Sequence, residues 1–332
     1  MKSVNKGIAV VGGAGFVGTR LASFFDKANV QYNVYDIDLK KNNDKIVYLD
    51  VEDTKSLELL SSSNTIINLA AVHRDDIRPL SRYDDVNITG AKNICDAARK
   101  HKINRIIFTS SVAIYGFAPP NTDESGAPNY FNDYGRTKYL AEQVYKEWQA
   151  EDPFNRTLVI IRPTVIFGEG NRGNVYNLLN QIASKKFIMI GNGKNIKSMA
   201  YVENIVSFIS YSLSFKAGLH IHNYVDKPDL NMNKLVSMSR NILFNKKNIG
   251  IRLPSFFGEA MGYFADILAR LINKSLPISR IRVKKFLSIT QFSSSAEKTG
   301  FIAPVKLEDG LNKTLKYEFL ENNTGNDTFN SE

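Results

Sequence analysis

Tyr134 and Lys138 stand four residues apart, so on a helix their side chains share one face. A tyrosine hydroxyl titrates near ~10 in water. A neighbouring ammonium stabilises the phenolate and lowers that value, which suits the pair to general-base work on a substrate hydroxyl. Ser111, upstream, offers a second hydroxyl that can orient the same oxygen. Tyr-x-x-x-Lys alone recurs by chance on surface helices, so its meaning depends on what precedes it. Gly12, Gly15 and Gly18 form a G-x-x-G-x-x-G run between an apolar stretch at 7–11 and a segment opening with Phe16 and Val17. In a strand–glycine–helix arrangement the first glycine permits a tight turn. The second lets the backbone approach a pyrophosphate, which then sits on the helix N-terminus. Glycine loop, serine and Tyr–Lys pair, in this order, imply hydride transfer to and from a carbon bearing a hydroxyl, with a nicotinamide dinucleotide as carrier.

The elements that must position these residues follow from periodicity. Strands are expected at 7–11, 31–36, 45–49, 65–69, 105–109 and 157–161, and helices at 16–28, 85–100 and 134–149. Strands alternating with helices predict an α/β fold, a Rossmann-type doubly wound parallel sheet with a smaller C-terminal α/β substrate domain. The expected division is a dinucleotide-binding domain over 1–167 with returning elements around 195–225, a substrate region over 168–320, and a flexible polar tail over 321–332. Asp36 ends the second strand, where a carboxylate binds both ribose hydroxyls and repels a 2′-phosphate; this favours NAD, with Lys40 and Lys41 leaving NADP as the alternative. Asp50 and Val51 follow the third strand at a place suited to adenine. Leu69, Ala70 and Ala71 end the fourth, where small residues let the cofactor cross the sheet edge.

Bulk properties narrow the classes. The chain has 332 residues, 43% of them hydrophobic and 23% charged, enough for a large core. One cysteine, Cys95, forbids an intrachain disulfide and points to a reducing compartment. The apolar run after Lys2 and Lys6 reads as a first strand rather than a signal peptide. No stretch reaches the ~18–20 apolar residues of a spanning helix. The net charge of +10 suits anionic partners or plain solubility. No nucleic-acid motif accompanies it, and no metal site is expected.

The serine segment from Ile107 to Gly116, the Asn87-x-x-Gly90-x-x-Asn93 helix, and Arg162-Pro163 with Phe167-Gly168 resemble the extended short-chain dehydrogenase/reductase family of nucleotide-sugar epimerases and dehydratases. Val11 departs from the threonine often found before the first glycine. The resemblance implies catalytic roles for Ser111, Tyr134 and Lys138, with Asn87 and Pro163 beside the cofactor. In the family's 4,6-dehydratases an Asp-Glu pair follows the active-site hydroxyl; Val112-Ala113 stands here and transfers no proton. A 4-epimerase needs only Ser, Tyr, Lys and retained NAD, forming and reducing a 4-keto sugar without net redox.

Longer segments, 71–76, 162–177, 197–204, 223–233 and 282–286, are similar to the branch of that family that converts GlcNAc to GalNAc on undecaprenyl diphosphate for O-antigen assembly. A soluble enzyme acting on a UDP-sugar is the alternative. The resemblance implies diphosphate contacts by Lys197, Arg282 and Asn174; cations and donors suit that group. His73 and Arg74 are mouth-lining candidates. Apolar residues recur at three- and four-residue spacing over 255–273, among them Phe256, Phe257 and Tyr263, predicting an amphipathic helix. Between Arg252 and Lys285, seven basic residues face two acids, a local +5. Such a helix suits adsorption to an anionic leaflet, with core packing as the alternative. The expected location is the cytoplasm, peripheral on the inner face of the cell membrane. A homodimer through helices flanking the site is expected by analogy only.

Overall fold

The computed structural model describes residues 7–39, 45–74, 77–258, 260, 263, 283–284 and 287–330. Short, largely apolar strands form the centre. Strands β1 (Gly7–Val11), β2 (Tyr32–Asp36), β3 (Ile46–Tyr48), β4 (Ser63–Asn68), β5 (Arg105–Thr109) and β6 (Thr157–Pro163) build one sheet. Short strands β7 (Val165–Phe167), β8 (Met189–Ile190), β9 (Ile196–Lys197) and β10 (Met199–Tyr201) follow, and β11 (Gly218–Tyr224) then returns as the seventh strand of the large sheet. The order is β11-β6-β5-β4-β1-β2-β3, with every neighbouring pair parallel.

Alternation along these strands feeds two cores. Ile8, Val10, Ile67, Ile107, Val159 and Ile161 face one; Ala9, Val11, Ile66, Ile106, Phe108, Leu158 and Ile160 face the other. A sheet buried on both faces needs apolar residues at successive positions, which is why these strands read as continuous runs. Helix α1 (Phe16–Lys27) and a short turn α2 (Ser81–Tyr83) precede α3 (Gly90–His101) and α4 (Asp133–Ala150). On the first face lie α1, α5 (Asn174–Ala183), α6 (Val202–Ser212), α7 (Met232–Phe244) and α8 (Leu307–Phe319); on the second, α3 and α4.

The helix expected from about residue 85 begins earlier, at Ser81, and passes through a π-helical stretch, Asp84–Thr89, before α3. The wide turn places Asn87 inward, 5% exposed. Strand β6 runs two residues beyond expectation, to Pro163, because β11 pairs with it to the end. Part of the polar tail is tied to the body. Phe329 exchanges backbone hydrogen bonds with Gly170 (2.9 Å) and Arg172 (2.8 Å), and its ring lies 5.7 Å from that of Phe16. No described helix is long and apolar enough to cross a membrane.

Candidate active site

After β3 the chain crosses to β4 on the other side of β1, so the chain departs in opposite directions from β1 and β4. Crevices of this kind hold ligands outside the strand C-termini. Gly12 turns there with φ of +77°, and a Cβ on it would lie 2.4 Å from the Ala70 nitrogen. A Cβ on Gly18 would meet the Gly13 backbone at 2.5 Å, whereas Gly15 is exposed and its nearest neighbour is 3.5 Å away. The first and third glycines thus close-pack the loop, and the second leaves its surface open. Gly15 is the N-cap of α1; no side chain caps that end and no acid stands in its first turn. The first N–H groups, including those of Phe16 and Val17, have no helix carbonyl beneath them. Asp36 accepts the Ala14 N–H at 2.9 Å, which fixes its carboxylate beside the loop with lone pairs to spare. This cradle fits a dinucleotide: an open phosphate seat, a positive helix end and a carboxylate at the ribose distance of one strand.

The neighbouring candidates are bound into the floor. Leu69 donates to the Val11 carbonyl at 2.8 Å, and Ala70 to the Asn68 side chain at 3.1 Å. Asp50 accepts the Glu52 N–H at 2.9 Å, and the Val51 carbonyl accepts from Asn93 at 2.9 Å. Asn87 clamps the loop after β4: it accepts from Val72 N–H (2.8 Å) and donates to the Val72 carbonyl (3.0 Å) and the Thr137 hydroxyl (2.9 Å). Pro163 ends β6, paired with Tyr224.

Ser111 follows β5, and its Oγ accepts the Ala113 N–H at 3.1 Å, capping a 3-10 turn over Val112–Tyr115. Asn132 caps α4 by accepting the Gly135 N–H at 3.0 Å, so Tyr134 falls in the first turn and Lys138 one turn on. Ser111 lies close enough to Tyr134 to offset part of the desolvation of its phenol. Lys138 is 2% exposed; its ammonium donates to the Thr109 carbonyl at 2.7 Å and lies 4.7 Å from the Phe108 ring centroid and 6.0 Å from that of Tyr134. The structure therefore gathers all three candidates at the C-terminal edge of β5. Their titration differs from the sequence expectation. Burial pushes the Tyr134 phenol up to about 12, with Ser111 opposing, and pushes Lys138 down to about 7, with Glu142 opposing. Desolvation disfavours both charged forms and is the largest effect on each.

Behind Lys138 lies a buried network that spacing analysis missed. Glu142, 0% exposed, accepts from Arg162 Nε (2.9 Å) and Nη2 (2.6 Å) and from Ser110 Oγ (2.5 Å). Arg162 Nη1 donates to the Tyr115 hydroxyl (2.6 Å), which donates to Asn223 Oδ1 (2.8 Å). The available signal was Glu142 four residues after Lys138, on the same helix face.

The substrate candidates lie in several places. His73 stands exposed after β4, its Nδ1 3.5 Å from the Ala71 carbonyl oxygen. Partial desolvation, then the charges of Lys138 and Arg74, hold it below the usual imidazole range, which puts it near the Tyr–Lys pair. The Arg74 carbonyl accepts the Tyr83 hydroxyl. Lys197, in β9, donates to the Ser288 carbonyl at 2.7 Å, and burial pushes it down to about 8. Asn174 opens α5 and is exposed. Arg282 and most of 255–273 lie outside the described residues. Within that span the Phe256 and Phe257 rings meet at 4.2 Å, tilted by 31°, and are 61% and 47% exposed.

Residues 8–225 match the model of the NAD dependent epimerase/dehydratase family. The chain is 47% identical to the N-acetyl-alpha-D-glucosaminyl-diphospho-ditrans,octacis-undecaprenol 4-epimerase of Escherichia coli O157:H7, over 99% of this chain and 100% of that one. Among solved structures, MoeE5 in complex with UDP-glucose and NAD superposes with TM-score 0.72 and 19% identity, covering 94% of this chain and 98% of the other. The UDP-N-acetylglucosamine 4-epimerase from Bacillus cereus gives TM-score 0.71 and 16% identity, covering 93% and 94%.

Proposed function

This chain belongs to the NAD dependent epimerase/dehydratase family, and from that premise we propose that it interconverts GlcNAc and GalNAc on undecaprenyl diphosphate by epimerising C4. The observation that carries the chemistry is the Ser111–Tyr134–Lys138 cluster at the strand edge beside the glycine cradle. The 47% identity over both full lengths carries the substrate.

Bound NAD supplies the hydride acceptor and, once the sugar has turned over, the donor. Gly12, Gly15, Gly18 and the α1 N-terminus would hold its pyrophosphate, and Asp36 its ribose hydroxyls. Asp50, Val51 and the 69–71 edge would line the remainder, with Pro163 at the nicotinamide end and Asn87 fixing the loop. Tyr134 takes the proton from the sugar 4-hydroxyl and later returns it. Ser111 holds that hydroxyl in line with the phenol. Lys138 supplies the charge that makes the phenolate attainable in an otherwise desolvated place. Val112 and Ala113 carry no proton, so the cycle stops at epimerisation.

Lys197, Arg282 and Asn174 are assigned to the diphosphate, and His73 and Arg74 to the sugar side of the mouth. The same reading divides the chain into a dinucleotide-binding part (1–167, with 195–225 returning), a substrate part (168–320) and a tail (321–332). It places the protein in O-antigen or surface polysaccharide assembly, peripheral on the inner face of the cell membrane, and as a homodimer. Exposure of Phe256, Phe257 and Tyr263 supports membrane contact over core packing at those positions.

The test supplies GlcNAc-diphospho-undecaprenol and UDP-GlcNAc separately to purified protein without added cofactor, and separates the C4 epimers. Turnover of the lipid-linked sugar is the expected result. Turnover of UDP-GlcNAc alone would make this a soluble nucleotide-sugar epimerase.

A further inference from the structure

The last described residues of the chain return to the cofactor crevice. From Thr324 to Asn330 every residue is exposed except Phe329, which is half-buried. Its N–H donates to the Gly170 carbonyl at 2.9 Å, and its carbonyl accepts the Arg172 N–H at 2.8 Å. Its ring lies 5.7 Å from that of Phe16, tilted by 52°. Phe16 is the first residue of α1, directly after the exposed Gly15 at the open phosphate seat. The tail therefore touches the turn assigned to the pyrophosphate.

The loop that receives the tail is fixed from two sides. Arg20, one turn along α1 from Phe16, donates to the Glu169 carbonyl at 2.7 Å. A Cβ on Gly168 would come within 3.2 Å of the Phe16 ring. From the other side Glu318 of α8, 2% exposed in its side chain, accepts the Gly170 N–H at 2.7 Å and pairs with Arg172. Gly170 has a φ of +84°, and a Cβ on it would stand 3.1 Å from the Asp327 carbonyl oxygen. Residues 168–172 thus form a seat bonded to α1 and α8 independently of the tail, and Phe329 joins that seat to Phe16. The contact with Phe16 is made by a single residue on a chain end with exposed neighbours. Segments of that kind open locally at a small fraction of the free energy of global unfolding.

We propose that Phe329 is a positioning residue for the cofactor: with the tail docked, its ring steadies Phe16 and the first turn of α1, and so slows the release of NAD. The proposal rests on the assignment of Gly12, Gly15, Gly18 and the α1 N-terminus to the pyrophosphate. A 4-epimerase has a particular need of such a latch. The hydride taken from the sugar must return to the same sugar, so a cofactor lost in mid-cycle leaves a keto sugar behind and ends turnover. The latch works by position alone, since the Phe329 side chain can transfer no proton and carries no charge.

The test follows exchange of bound NAD for isotope-labelled NAD on intact, full-length protein. Phe329→Ser should speed release about tenfold, the equivalent of ~1.4 kcal/mol and the scale of one lost ring contact. Phe329→Tyr should restore the slow rate, because it keeps the ring. The melting temperature of the NAD-free protein should be the same for the wild type and the serine variant. In a Phe16→Leu background, which already lacks the partner ring, Phe329→Ser should change release by less than about twofold. Release at the wild-type rate from the serine variant overturns the proposal. So does an undiminished effect in the Phe16→Leu background, which would show that the ring acts elsewhere. So does an NAD-free melting temperature that falls along with the faster release, which would make Phe329 a general stabiliser. Protein that holds no NAD as purified and takes up none defeats the cradle assignment on which the proposal stands, a failure distinct from the other three.

Discussion

Replacing Glu142 by glutamine probes the network beneath the Tyr–Lys pair. The carboxylate is fully buried and takes three hydrogen bonds, two from the Arg162 guanidinium and one from Ser110. Arg162 is itself only 5% exposed in its side chain. Glutamine keeps one acceptor oxygen, removes the charge and turns an NH2 towards donors. Breaking a buried pair by removing one partner costs about 3–5 kcal/mol, because the remaining ion is left uncompensated. The same substitution removes the charge that opposes desolvation of Lys138, so the Lys138 pKa should fall further below about 7. The reporter is in place: Trp148, the single tryptophan, is fully buried on the same helix. Urea unfolding followed by its fluorescence should show the loss, and the alkaline limb of the kcat–pH profile should move to lower pH. Glu142→Leu/Arg162→Met should recover most of the stability, since it removes both ions together. A loss under ~1 kcal/mol for Glu142→Gln, with an unmoved alkaline limb, would refute the account of this network.

Tyr134→Phe should lower kcat by ~10²–10⁴ with NAD content and melting temperature preserved; a loss below tenfold would remove Tyr134 from the proton transfer. Gly12→Ala forces a Cβ to within 2.4 Å of the Ala70 nitrogen at positive φ, and should destabilise by roughly 1–3 kcal/mol and strip NAD from the purified protein. Gly15→Ala, with 3.5 Å to its nearest neighbour, should instead fold normally and weaken NAD alone; equal melting temperatures for the two variants would contradict the packing argument. In the cofactor-free protein, Lys138 titrates near 7 when folded and 10.5 when unfolded. Between those values the unfolded chain holds the extra proton, so this group makes stability rise with pH, by at most ~1.4 kcal/mol per unit. Lys138→Met should flatten that rise in urea midpoints taken from pH 7 to pH 10; identical slopes would show that the lysine is not desolvated.

The sequence by itself determined the strand–glycine–helix opening, the parallel sheet and the helix that carries Tyr134 and Lys138. These depend on local chemistry: continuous apolar runs for strands buried on both faces, glycines where a Cβ cannot fit, and Asn132 as a helix cap. Each acts within a few residues, so spacing reveals it. Only the tertiary structure decided how the pieces meet. Glu142 and Arg162 come from different elements, and their ion pair exists only because α4 packs against β6. Thr290 and Gln291 tie Ile196, Ser198 and Asn121 together through backbone bonds that no periodicity encodes. Phe329, in a tail that composition reads as flexible, is held by Gly170 and Phe16. The protonation states at Tyr134 and Lys138 changed direction for the same reason. Adjacency on a helix predicts their attraction, but burial is a property of everything packed around them, and desolvation is the largest effect on each.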